Sequence, residues 1–299
     1  MRYPIDQLEF EQAFSTEDNC ISYLMECRYP DGFQCFNCGN ITYWKNLRGL
    51  LICKICRHEH SVTANTIFHQ SKLPISLHFR AIWWMIAQKN GVSAKGLQKI
   101  LGIGSYQTAW TWLHKYRKLM VLPERSKLSD IVEVDETYVG GKKSGKRGRG
   151  AEGKLIVSIA VETMDKATGR VRLSVVNDVT SITLTSFVKE NVYKGATVIT
   201  DDWGSYNNLH KCGYRHQIQT ATKKSDDVEV LPNVHRVASL LKRWLLGTHQ
   251  NYASNEKLQY YLDEFAFRYN RRTSKKRGLI FYRIIEQSVI HSPVRNTDV

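Results

Sequence analysis

Two rhythms of apolar residues divide the chain. Between Ser76 and Lys89 the apolar residues Leu77, Ile82, Trp83 and Ile86 fall at near-helical intervals, the pattern of a helix with one buried face. Residues 93–101 and 105–120 read the same way and are separated only by Gly102-Ile-Gly104, so a helix-turn-helix is predicted. An earlier helix should start at Ser15-Thr-Glu-Asp18, where a hydroxyl cap precedes acids in the first turn. It should end near Arg28, before Pro30-Asp-Gly32 turns the chain. From residue 131 the rhythm changes. Residues 131–139, 154–162, 170–176 and 196–201 are rich in β-branched and aromatic residues and predict strands. The second and third are joined by the turn-forming Asp165-Lys-Ala-Thr-Gly169. Helices are predicted at residues 181–192, briefly at 206–210, and over 234–246, with a further strand at 216–219. The stripe Leu258, Tyr261, Leu262, Phe265 and Tyr269 marks one more helix, packed on the sheet.

The order from residue 131 is βββαβαβα, that of an RNase H-like fold: an α+β layer with a mixed sheet. In that fold an acid on the first strand and one ending the fourth converge with a ligand on the last helix. The first of these acids is unusual by its position. In Ile131-Val-Glu-Val-Asp-Glu-Thr-Tyr-Val139, alternation puts Glu133, Asp135 and Thr137 on one face and Glu136 on the other. Acids are disfavoured inside strands, and a buried carboxylate is costly without a partner or a metal. A mid-strand carboxylate is therefore a metal-ligand candidate, an edge strand with solvated acids being the other reading.

Charge adds a partner. The 43 Lys+Arg against 28 Asp+Glu leave a formal net charge of +15, which calls for a polyanion, most commonly nucleic acid. The longest apolar run, Ala81-Ile-Trp-Trp-Met-Ile-Ala87, is far short of a membrane span, and the start carries no signal-peptide core. A cytoplasmic, nucleoid-associated protein is expected, with its seven cysteines as thiols or metal ligands rather than disulfides. Cys35-x-x-Cys38 and Cys53-x-x-Cys56, fourteen residues apart, make two knuckles of a closed tetrahedral site for one structural Zn²⁺. That interval is one residue shorter than the usual window. Cys20, Cys27 and Cys212 read as core thiols. His58, His60 and His69 read as surface or DNA-facing residues that could also stand in for a cysteine. In the second helix of the helix-turn-helix, Ser105, Gln107, Thr108, Thr111 and Lys115 are the candidates for reading DNA. The expected regions are 1–70, an amino-terminal helix and zinc ribbon; 71–125, the helix-turn-helix; and 126–299, the catalytic domain.

Several segments together resemble the ISXO-like group of insertion-sequence transposases over nearly the whole chain. They are Arg28-Tyr-Pro-Asp-Gly-Phe33 with the CxxC pairs, Thr66-Ile-Phe-His69 with Lys72-Leu-Pro74, and Asp135-Glu-Thr-Tyr-Val-Gly-Gly141. Further on come Thr200-Asp201, Leu240-Leu-Lys-Arg-Trp-Leu-Leu-Gly-Thr248 and Tyr261-Leu-Asp-Glu-Phe-Ala-Phe-Arg-Tyr-Asn-Arg-Arg272. The resemblance implies a DDE-type enzyme that binds the terminal inverted repeats of its element, cuts DNA and joins it to target DNA, as a homo-oligomer on that DNA. It implies Asp135 and Asp201 as the first two catalytic ligands of two Mg²⁺ or Mn²⁺ ions. The third position, a Glu seven residues before a Lys in many relatives, is here His235 before Lys242, and members with His or Asn there belong to the group. Seven residues are nearly two helical turns, so His235 and Lys242 share a face, and Lys242 with Arg243 would hold a DNA phosphate. Asp202 is a neighbouring acid that could substitute for Asp201. The loop Gly141-Lys-Lys-Ser-Gly-Lys-Arg-Gly-Arg-Gly150 offers Lys142, Lys143, Lys146, Arg147 and Arg149 for phosphate contacts, a solvated linker being the alternative. A second basic cluster runs from Arg268 through Arg271, Arg272, Lys275, Lys276 and Arg277. The competing functions are a non-catalytic DNA-binding regulator with an inert carboxy-terminal domain, and a structure-selective nuclease that cuts but does not join.

Overall fold

The computed structural model describes residues 3–122, 125–140, 154–164, 167–220, 230–250 and 256–294. It divides into two compact units, Met1–Met120 with Ser274–Val299, and Val121–Thr273. The first unit opens with α1 (Gln7–Ala13), capped by Asp6, and α2 (Glu17–Arg28), capped by Thr16. The knuckle region forms a small antiparallel sheet of β1 (Tyr43–Lys45), β2 (Leu51–Cys53) and β3 (Glu59–His60). Then come α3 (Ile75–Ala87), α4 (Ala94–Leu101) and α5 (Tyr106–Lys118). Gly102 ends α4 in the left-handed region, φ 63°, which glycine enters without steric cost. Helix α3 starts behind Pro74 with no local side-chain cap. Its first amides are satisfied from a distance instead: the Glu17 carboxylate accepts from Ile75 N at 2.7 Å and Ser76 N at 2.8 Å.

The second unit is built on five strands: β4 (Ile131–Val139), β5 (Leu155–Met164), β6 (Ala167–Val176), β7 (Thr197–Thr200) and β8 (Arg215–Ile218). Their order in the sheet is β6-β5-β4-β7-β8. The first three in sequence form an antiparallel meander, and β7 and β8 add in parallel on the other side of β4. Helix α6 (Ser181–Asn191) follows the meander, and α7 (Pro232–His249) and α8 (Leu258–Tyr269) follow β8. Alternation along the strands sorts the core. Val132, Val134 and Ala160 pack with Leu184, Phe187 and Val188 of α6 on one face. Val139, Val157 and Ile159 pack with Val234, Val237 and Leu241 of α7 and Leu262 and Phe265 of α8 on the other. The expected βββαβαβα order is present, though the short helix after β7 is two 3₁₀ turns, Gly204–Tyr206 and Leu209–Cys212. The β5–β6 hairpin is tighter than the predicted five-residue turn, because Met164 already pairs with Ala167. Gly169 belongs to the strand: a Cβ there would lie 2.7 Å from that of Glu162 across the ladder.

The outer edge of β6 is closed by side chains of α8 and the residues after it. Asn270 gives Val171 both partners that a neighbouring strand would give, accepting from its N–H at 2.8 Å and donating to its carbonyl at 3.2 Å. Gln259 accepts from Val175 N at 3.0 Å and donates to Leu173 O at 3.3 Å. Arg272 donates to the carbonyls of Thr168 and Gly169.

One more helix, α9 (Arg277–Ile290), groups with the first unit. Phe281 meets Phe10, Phe79 and Trp83 with ring centroids 5.4–5.7 Å apart, and the Arg277 guanidinium caps the carboxyl end of α3 at Ile86 O and Ala87 O. Among the described residues no helix is long and apolar enough to cross a membrane.

Candidate active site

Strand β4 lies at the centre of the five-stranded sheet, and Asp135 projects from its middle toward the α7 side. The parallel ladder to β7 pairs Val132 with Val198 and Glu133 with Ile199. Continuing that register by two residues brings Asp135 level with Asp201, on adjacent strands about 4.8 Å apart. Asp201 is half-buried just past the end of β7, and its carboxylate accepts from Trp203 N at 3.1 Å. Like charges placed directly across a ladder repel, so the pair suits a cation between them. From α7, His235 reaches Asp135 with Nε2 3.6 Å from Oδ2. Cis and trans donors about 2.1 Å from a six-coordinate ion are about 3.0 Å and about 4.2 Å apart, and the 3.6 Å separation lies between the two.

Lys242 lies two turns along α7 from His235, exposed, with Arg243 exposed beside it. Partial burial and the nearby charge of Lys154 pull the Lys242 ammonium below its ordinary value, while Asp135 pushes it back up. Asp202 is exposed.

Two features of this site were not visible in the sequence. Glu133 had the look of a reserve metal ligand, and the structure gives it other work. Its side chain is buried. Oε2 accepts from Asn233 N at 2.8 Å and Val234 N at 3.0 Å, and Oε1 accepts from Asn233 Nδ2 at 2.7 Å. Helix α7 needs this because Leu231, at its N-cap in the left-handed region (φ 50°), supplies no side-chain cap. Glu133 therefore ties the start of α7 to the strand that carries Asp135, two residues from His235 on one side and two from Asp135 on the other. On the opposite face, the Tyr206 hydroxyl donates to Glu136 and ties the turn after Asp201 to the same strand. Burial, then the Glu136 charge, holds that phenol well above its ordinary value, so it stays a donor.

The four cysteines converge in the ribbon. Cys35 and Cys56 sulfurs are 3.5 Å apart, Cys38 and Cys53 sulfurs 3.6 Å, close to the ~3.8 Å of a tetrahedral ZnS₄ centre. Among the described residues this is the only group of three or more potential ligands drawn within 4.8 Å; the Asp135, Asp201 and His235 set is more open. His60 is not a surface residue as expected: it is buried, and its Nε2 lies 3.3 Å from Cys35 Sγ, the place of an outer partner to a bound thiolate. His69 accepts from Asn65 N. The cores hold Cys20, buried, and Cys27 and Cys212, half-buried.

Lys142, Lys143, Lys146, Arg147 and Arg149 lie outside the described residues. The second basic cluster is largely engaged within the protein. Arg268 pairs with buried Glu264 at 2.7 Å, Arg271 stacks on Phe267 and Arg272 on Tyr269. Only Lys275 and Lys276 stand exposed without such a partner among the described residues.

Residues 127–270 match the ISXO2-like transposase domain, and residues 15–59 match the transposase zinc-ribbon domain. Among solved structures, the catalytic core domain of BIV integrase aligns at 15% identity over 46% of this chain and 81% of that one. Its TM-score of 0.31 is too low to inform the site. No curated protein sequence matches. The four thiols sit within the ribbon match and suit a structural Zn²⁺. The mixed sheet of the second unit, in the order β6-β5-β4-β7-β8, is an α+β, RNase H-like catalytic domain. With a transposase zinc ribbon followed by a DDE-type catalytic domain of the ISXO2-like kind, the chain belongs to the IS1595 family of transposases.

Proposed function

We propose that this transposase cuts DNA at the ends of an insertion sequence by hydrolysis and then joins the freed 3′-hydroxyl to target DNA by transesterification. The observation that carries the reading is the meeting of Asp135 with His235 at 3.6 Å, with Asp201 level on the next strand. Asp135, Asp201 and His235 would hold divalent ions. When bound, such ions supply Lewis-acid activation of the attacking oxygen and stabilise the leaving one. The chain's own residues do the positioning. Glu133 fixes where α7 begins and so where His235 sits. Tyr206 and Glu136 fix the turn that follows Asp201. Lys242 and Arg243, on the exposed side of α7, would hold the phosphate backbone next to the scissile bond. The net positive charge and the basic loop at 141–150 would add sequence-independent affinity for DNA.

The test is incubation of the full chain with DNA carrying the ends of its element and Mg²⁺ or Mn²⁺, mapping new ends and joined products. Asp135→Asn and Asp201→Asn should abolish both reactions while DNA binding survives, because each keeps the shape and removes a ligand charge. Cleavage at wild-type rate by either variant would move the site elsewhere. Binding without metal-dependent cleavage by the unmodified chain would favour a regulator.

A further inference from the structure

The segment Thr66-Ile-Phe-His69 with Lys72-Leu-Pro74 has no part in the catalytic unit, yet it shapes a second site. In the first unit, residues 67–73 and α5 enclose a cleft of about 380 Å³, within the range of small-ligand pockets, about 300–1,000 Å³. Its lining includes Lys72 and Lys115, the amides of Gln70 and Gln107, His69 and Thr108, and no carboxylate. Among the described residues Lys72 has no ion-pair partner. The floor is rigid. His78 is buried, stacked on Trp112 at 3.7 Å between centroids, with Nδ1 2.7 Å from Tyr116 Oη and Nε2 2.7 Å from Ser71 Oγ. These bonds pin residues 67–73 to α5. Gln70, at φ 55°, holds a left-handed conformation that a non-glycine residue adopts at some cost, a frequent feature of binding loops.

This arrangement departs from the expected mode of DNA reading. A recognition helix must protrude to enter a major groove about 12 Å wide. Here Ser105 and Gln107 are exposed at the start of α5, but Thr111 is buried, and Thr108 and Lys115 are only half-exposed, walled by the facing segment. A concave, cationic, amide-lined cleft receives something that projects into it. We propose that it binds one unpaired nucleotide of DNA, the phosphate with Lys72 and Lys115 and the base edge with Gln70, Gln107 and Thr108. The proposal rests on the chain acting on DNA and concerns binding alone.

The test is fluorescence anisotropy on the full zinc-loaded chain, with a labelled hairpin that is fully paired and the same hairpin bearing one unpaired nucleotide, both without divalent metal. Wild type should bind the second about tenfold tighter, toward the low end of what one well-held base contributes. Thr108→Trp, which fills the cleft, and Lys72→Gln, at an exposed side chain, should each remove most of that preference and leave the paired hairpin unchanged. On an oligothymidine strand, Lys72→Gln should reduce the salt slope by about 0.7, the value of one phosphate contact. Equal affinity of wild type for the two hairpins overturns the proposal. Parallel weakening of both by Lys72→Gln also overturns it and makes the lysine a duplex contact. Zinc content and melting temperature exclude misfolding, with Lys72→Gln as the variant least able to disturb packing. Because no cleavage is read, a chain that fails to cut DNA but keeps the preference would sink the proposed reaction and spare this site.

Discussion

Replacing Glu133 by Gln should damage metal handling without removing any metal ligand. The native carboxylate sits in a buried place and receives three hydrogen bonds, two from backbone amides at the start of α7 and one from Asn233 Nδ2. A Gln can keep its oxygen against the two backbone donors, but its NH₂ then faces the NH₂ of Asn233. Asn233 can turn over only by giving up the bond its Oδ1 accepts from Thr168 Oγ1 at 3.2 Å. The change also removes a negative charge from a helix amino terminus, about 0.3–2 kcal/mol depending on exposure. It further turns charge-assisted bonds of about 1.5–3 kcal/mol into neutral ones of about 0.5–1.5 kcal/mol. A total near 2–3 kcal/mol follows, or a melting temperature lower by about 4–12 °C for a unit of this size. Since the affected bonds set the start of α7, His235 loses its fixed distance to Asp135. The Mn²⁺ concentration giving half-maximal cleavage should rise about tenfold or more, as it does when supports of metal ligands are lost, and Mn²⁺ should raise the melting temperature less than in wild type. Calorimetry with and without Mn²⁺ and a metal titration of end cleavage read these effects. If Glu133→Gln melts like wild type and needs no more metal, the tie between β4 and α7 does not position the site.

Wild-type protein should carry about one zinc per chain, and Cys53→Ser should lose it and loosen the ribbon while the catalytic unit keeps its melting transition; zinc analysis with calorimetry decides. His235→Ala should lose most cleavage and His235→Glu should keep part of it in Mg²⁺ or Mn²⁺; wild-type cleavage by the alanine variant would place the third ligand elsewhere. His78 is pushed down to about 3 by burial, with Lys115 adding. Its unfolded value is about 6.5, so the unfolded chain binds the extra proton between these limits, and stability of the first unit should fall as pH drops from about 6.5 toward 3. The slope is at most about 1.4 kcal/mol per pH unit for one proton, and His78→Gln should flatten it in a melting series against pH.

Local patterns announced the frame of this protein, and long-range bonds decided its details. The β4 alternation placed Glu133 and Asp135 on one face correctly, because a strand's period is a property of the backbone. It could not say that Glu133 answers to amides a hundred residues away, since such a bond leaves no trace in spacing. The cysteine knuckles were legible for the opposite reason: metal geometry acts on neighbours in sequence. Helix α9 did carry a readable stripe, Phe281, Ile284, Ile285 and Ser288, but a stripe states only that one face is covered, not by which unit. The run from Arg268 to Arg277 read as a second basic cluster because charge is counted along the chain. In the fold, three of its guanidiniums rest on a carboxylate and two rings. His60 was misplaced on the surface because a histidine in a two-residue strand gives no sign, in the sequence, of a thiolate behind it.

The amide-sealed edge of β6 bears on how copies of this protein can assemble. An unpaired strand edge is a template on which any extended segment can add, including the same strand of another molecule. Here Asn270, Gln259 and Arg272 occupy the donors and acceptors at Val171, Leu173, Val175, Thr168 and Gly169. The meander side of the sheet is thus closed to growth, and any lengthening would have to start at β8, only four residues long and mostly exposed. Were copies to gather on one DNA molecule, they would be kept from zipping together through the β6 edge of their sheets. Two well-placed amides, Gln259 on α8 and Asn270 just after it, close that edge to a second copy of the strand.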